Sequence, residues 1–72
     1  MSGGPAPTVR LANEIAIQFH HQPSEVASAA IARHIRTFWD PRMRANLLQH
    51  VEADPTALDP LALSAARLIQ AG

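Results

Sequence analysis

The chain has 72 residues, enough for one small domain, and at this size a core seldom contributes more than about 3 to 5 kcal/mol without disulfides, metals or partners. It has no cysteine, which closes the disulfide route and removes thiolate zinc sites and iron–sulfur ligation, leaving partner association as the expected support. Six basic residues, all arginine, balance six acidic ones at a pI near 6.9, unlike the strong basic excess of nucleic-acid modules.

Residues 1–7, Met-Ser-Gly-Gly-Pro-Ala-Pro, read as a flexible, disordered lead, without the basic and then apolar regions of a secretory signal. No window approaches the ~18 consecutive apolar residues of a membrane span, so a soluble cytoplasmic protein is expected. A single helical domain should occupy residues 8–72. Thr8 is placed to cap a first helix that runs to His20, with Leu11, Ala12, Ile15, Ala16 and Phe19 on its apolar face. Asn13 and Glu14 fall towards the opposite side, and Ile17 lies off the stripe.

Pro23 or Ser24 opens a second helix, Ser24 as cap or Pro23 as first helical residue. Its buried face is expected to be Ala27, Ala30, Ile31, Ile35 and Phe38, with His34 in the same stripe and Arg33 and Arg36 beside it. That helix ends near Phe38, because Asp40 and Pro41 start another: the carboxylate accepts free amides of a helix start, and proline's fixed φ suits the first helical position. The third helix runs from Pro41 to Ala53, with Met43, Leu47 and Val51 inward, His50 at the edge and Leu48 off the face. Asp54-Pro55-Thr56-Ala57 is turn chemistry. Asp59-Pro60 then repeats the cap-plus-proline signal and begins a fourth helix, with Leu61, Ala65, Leu68 and Ile69 inward and Leu63 outside the stripe.

The expected fold is therefore all-α, a compact array or bundle of four short helices of roughly 11 to 16 residues joined by short turns. Ile17, Leu48 and Leu63 would make a docking patch if they converged.

Few residues invite chemistry. His20 and His21 point about 100° apart on a helix, and no HxxxH or HExxH pair occurs, so no metal site is expected. His34 and His50 come from different helices and can meet in the core, where a hydrogen-bonded structural histidine is the simpler role. The carboxylates and serines form no catalytic set, and no catalytic residue is expected.

The stretch Phe38-Trp39-Asp40-Pro41-Arg42-Met43-Arg44 stands out. Arg42 and Arg44 put positive charge in a helix's first turn, where the macrodipole is already positive and each costs roughly 0.3 to 1 kcal/mol. Either an anionic partner offsets this, or the arginines serve the C-terminus of the preceding helix. Trp39 amid Arg33, Arg36, Arg42 and Arg44 suits a protein interface, where Trp and Arg are favoured hot-spot types, or a stacking surface for nucleic acid, or simply closure of the core. Formal neutrality favours the protein partner.

Three blocks in order carry a resemblance: Leu11-Ala12-Asn13-Glu14-Ile15-Ala16, then Ile31-Ala32-Arg33-His34-Ile35 running into the Phe38–Arg44 stretch, then Leu58-Asp59-Pro60-Leu61. Over about residues 8 to 69 the chain resembles the delta subunit of bacterial NAD-dependent formate dehydrogenase, with Leu11 standing where that family often has methionine. The resemblance implies a non-catalytic accessory subunit of a soluble cytoplasmic complex that oxidises formate and reduces NAD. The pterin metal, iron–sulfur clusters and flavin would belong to the larger subunits and no cofactor to this chain. It also implies a role in assembly or integrity of the complex, by contact with the larger subunits, the pterin-binding catalytic subunit first among them. The residues expected to line that contact are Trp39, Arg42 and Arg44, with Asn13 and His34 as second choices. The alternative is a self-associating helical module that binds nucleic acid or regulates transcription.

Overall fold

Four helices account for most of residues 6–72, the part of the chain described by the computed structural model: α1 (Pro7–Ile17), α2 (Ser24–Phe38), α3 (Pro41–Ala53) and α4 (Pro60–Ala71). A single 3-10 turn, Pro55–Ala57, separates α3 from α4, and no strand occurs among the described residues. The expected all-α class and helix count hold. Residues 1–5 of the expected lead lie outside the described residues, and Pro7 already belongs to α1.

Three of the four helices begin at proline, which fits the first helical position because its missing N–H would have no partner there. At two of them an aspartate supplies the cap: Asp40 accepts from the Met43 amide at 2.8 Å, and Asp59 from the Leu61 amide at 2.9 Å. The other two starts differ from expectation. Ala6 precedes Pro7 at the start of α1, so Thr8 is inside the helix, and its hydroxyl lies 2.6 Å from Asn46 Oδ1 of α3 and donates to it. Pro23 takes the cap position of α2 and Ser24 the first helical one, with Glu25 supplying first-turn negative charge.

α1 also ends three residues short of His20. After Ile17 the chain tightens into i to i+3 bonds, Phe19 N–H to Ala16 at 3.0 Å and His20 N–H to Ile17 at 3.3 Å, which satisfy the last carbonyls as the chain turns towards α2.

α2 and α4 form the most extensive helix pairing. Their buried residues are mostly small: Ala27, Ser28 and Ala32 beside Ile31 and Ile35 on α2, and Ala62, Ala65 and Ala66 on α4. The larger fully buried side chains, Ile31, Ile35, Leu47, Val9 and Val51, come from three helices and complete one core. Burying each of the larger aliphatic ones stabilises by about 1.5 to 3 kcal/mol. Each alanine methyl contributes less, so the core is modest.

The buried stripes are shifted from those expected. Val9, Ala12 and Ala16 centre the inner face of α1, leaving Leu11 39% exposed. On α4 the alanines are innermost and Leu68 is 42% exposed. Leu48 and Leu63, expected outside, pack against the core, so they form no patch with Ile17, which stays exposed.

Candidate functional site

The largest departure falls at the end of α2. Phe38 is 72% exposed, whereas Trp39, its neighbour, is buried to 7% and joins the core. Phe38 is the last helical residue, and Trp39 has extended backbone angles, φ −92° and ψ 141°. The helical period therefore stops one residue before the tryptophan. The changed backbone direction lets the indole turn inward, four residues after Ile35 and close to where another helical turn would have placed it.

Arg44 holds this turn. Its Nη1 donates to the Trp39 carbonyl at 2.6 Å, supplying a partner for an acceptor at the end of α2. A charge-assisted bond of this kind contributes about 1.5 to 3 kcal/mol, more than the roughly 0.3 to 1 kcal/mol disadvantage of a cation in the first turn of α3. Arg36 acts in the same way elsewhere, donating from Nη2 to the Leu68 carbonyl at 2.8 Å near the C-terminus of α4. The arginine cluster thus divides. Arg36 and Arg44 serve backbone carbonyls, while Arg33 and Arg42 have no hydrogen-bond or ion-pair partner among the described residues.

His34 lies on the exposed side of α2 and does not meet His50 in the core. Its ring rests on Phe38, with centroids 4.8 Å apart and planes inclined at 41°. Together with Phe19 from the α1–α2 turn and Ala30, Arg33 and Thr37 from α2, these two rings line a solvent-open groove of about 430 Å³. Ala30, Arg33, His34, Thr37 and Phe38 follow helical spacing, so α2 carries a second face beside its core stripe. Phe38 and His34, both in the core stripe by helical period, with His34 also a second choice for a partner contact, lie on this exposed face instead. Of the roles open to Trp39, closure of the core is the one observed, and with the indole inside, Phe38 is left at the surface.

Asn13 is elsewhere and has a different task. Its Nδ2 donates to the Ala57 carbonyl at 3.1 Å and its Oδ1 accepts from the Asp59 amide at 2.7 Å, so both ends of the side-chain amide bind the turn before α4. His20 joins the same turn, Nε2 lying 2.8 Å from Asp59 Oδ2. Because a carboxylate only accepts, this contact calls for a proton on Nε2. Of the residues expected at a partner contact, Arg42 and His34 are exposed, Arg44 and Asn13 are half-buried, and Trp39 is buried.

A second groove, about 420 Å³, lies between α2 and α4 and is lined by Ser24, Glu25, Ser28, Ala29, Ser64 and Leu68. No group of three or more His, Cys, Asp or Glu residues among the described residues is placed to hold a metal ion. No helix among them is long and apolar enough to cross a membrane.

The family described as the NADH-dependent formate dehydrogenase delta subunit, FdsD, matches residues 8–66 of this chain. The chain belongs to that delta-subunit family. The matched region of this delta-subunit chain includes the Asp40-Pro41 and Asp59-Pro60 joints, the Asn13 clamp and the whole α2 groove. Neither the curated proteins nor the solved structures contain a match to it.

Proposed function

We propose that this chain is a non-catalytic accessory subunit of a cytoplasmic NAD-dependent formate dehydrogenase, supporting assembly or integrity of the complex by binding its larger subunits. The observation that carries the reading is the delta-subunit family match across residues 8–66. The site supports it in kind: small open grooves and an exposed aromatic residue suit contact with a protein surface better than enclosure of a substrate. Formate oxidation, electron transfer and their cofactors belong, in this reading, to the larger subunits, with the pterin-binding subunit the foremost partner.

The expected contact residues then divide by task. Arg42 and His34 reach the partner directly. Trp39 and Arg44 shape and hold the surface from behind, through the core and the α2–α3 turn, while Asn13 secures the separate turn before α4.

The test is to tag the chain in its native host, isolate it at moderate salt, identify co-purifying proteins and assay formate-dependent NAD reduction with and without the chain. The reading expects a pterin-binding subunit in the eluate, and loss of activity or dissociation of the complex when the chain is deleted. Turnover of formate by the chain alone, or recovery of the chain without any dehydrogenase subunit, would overturn it. Salt-sensitive retention on DNA in that second case would move a nucleic-acid-binding module into its place.

A further inference from the structure

Resting on the accessory-subunit reading, we infer that the α2 groove is the docking cleft for a segment of a larger dehydrogenase subunit that presents an apolar side chain beside a carboxylate. The apolar half of this requirement comes from Phe38. A phenylalanine that is 72% exposed at the rim of a groove, with His34 against its ring and Phe19 opposite on another element, leaves apolar surface in water that an inserted side chain would cover. The carboxylate half comes from charge. Arg33 is the one permanently charged side chain lining the groove; it has no partner among the described residues, and no acidic residue lines the groove with it. Its planar guanidinium offers paired N–H donors, which match a carboxylate in two-point geometry.

A second copy of this chain fits less well. The exposed apolar residues Leu11 and Ile17 occur beside Glu14 on α1, but Phe19 at the end of the same segment is itself a groove wall, which would set two copies of that wall against one cleft. The groove is also too open for a small molecule to be largely enclosed.

The experiment uses the full chain co-expressed with the larger dehydrogenase subunits of the same host, isolated through a tag on a large subunit at 50, 150 and 500 mM sodium chloride. Phe38→Glu, Arg33→Glu and the control Arg67→Glu are compared with the unaltered chain, and circular dichroism on each isolated variant verifies the fold. Phe38 and Arg33 are exposed, so both variants are expected to keep the helical spectrum and melting midpoint. Phe38→Glu should weaken retention by at least about thirtyfold, the scale of an interface hot spot, while Arg67→Glu leaves it unchanged. Arg33→Glu should weaken retention most at 50 mM salt and least at 500 mM, where the lost attraction is already screened.

Folded Phe38→Glu and Arg33→Glu chains retained like the unaltered one would overturn the cleft while leaving the accessory reading in place. Failure of the unaltered chain to be retained at any salt would overturn both. A change from dimer to monomer in Phe38→Glu by light scattering, with retention unaffected, would assign the groove to a second copy and also overturn the proposal. If Phe38→Glu fails to fold, Phe38→Ala, which only removes the ring, takes its place with the same expected direction.

Discussion

The chain uses the same two letters, Asp-Pro, to start α3 and α4, yet the two joints are secured in opposite ways. At Asp59-Pro60 the fastening comes from far along the sequence: Asn13 binds the turn through both ends of its amide, and His20 meets the free oxygen of the capping carboxylate. At Asp40-Pro41 it is local. Asp40 caps Met43 three residues on, Arg44 reaches back five residues to the Trp39 carbonyl, and Trp39 itself fills the core. The first arrangement ties the joint to α1 through the half-buried Asn13 and Asp59, with His20 at the surface, whereas the second leaves Phe38 and Arg42 facing outward. Identical punctuation thus yields one closed joint and one that presents a surface.

Removing the seal of the open joint should have the largest effect. Trp39→Ala is expected to cost about 3 to 5 kcal/mol, comparable with the whole stability of a domain this small, and to abolish most of the helical circular dichroism at 25 °C. A melting midpoint within a few degrees of the unaltered chain would mean that the local fastening does not depend on the indole. Asn13→Ala comes next, at about 1 to 3 kcal/mol in urea denaturation, because it removes two hydrogen bonds of about 0.5 to 1.5 kcal/mol each, one of them from the half-buried Asp59 amide.

Two smaller comparisons sharpen the contrast. Arg44→Ala is expected to lower stability by about 1 to 2 kcal/mol, since it removes a charge-assisted bond to backbone, whereas Arg42→Ala should stay within about 0.5 kcal/mol in the same denaturation series. Equal effects would show that the two arginines are not divided between structure and surface. Finally, Asp40→Ala should cost about 1 kcal/mol as a lost cap, and Asp59→Ala a few tenths of a kcal/mol more, because His20 also loses its partner. A double-mutant cycle between His20 and Asp59 isolates that increment, and a coupling of zero would reduce the contact to mere proximity.

The helices were legible because their signals are local. Proline at the first position and aspartate before it fixed the starts of α3 and α4 to the residue, and the α3 stripe of Met43, Leu47 and Val51 faces the core as its period indicates. The α2 face was less legible. A reading weighted by side-chain size preferred Phe38 to Ser28 and Ala32, but small residues dominate the buried faces of α2 and α4, where they let two helices approach closely. Helical spacing from Ile35 points both Phe38 and Trp39 towards the core, and only the extended backbone past the helix end decides that the indole enters and the phenyl ring does not. Asn13 was read as exposed because its polar side chain suits water equally well. Only the return of the 57–59 turn to α1, a contact over 44 and 46 residues, gives it two partners.

The methyl-lined seam between α2 and α4 has a consequence on the far side of α2. It fixes that helix along its length, through Ile31 and Ile35, whose branched side chains have essentially one rotamer in a helix, and through alanines that have none to lose. The five groove residues on α2 are therefore carried on a backbone that is ordered before anything arrives. The His34–Phe38 contact restrains two of the side chains as well. Whatever docks there meets a pre-organised surface, and the conformational entropy surrendered on association falls mainly on Arg33 and on the incoming segment rather than on this fold.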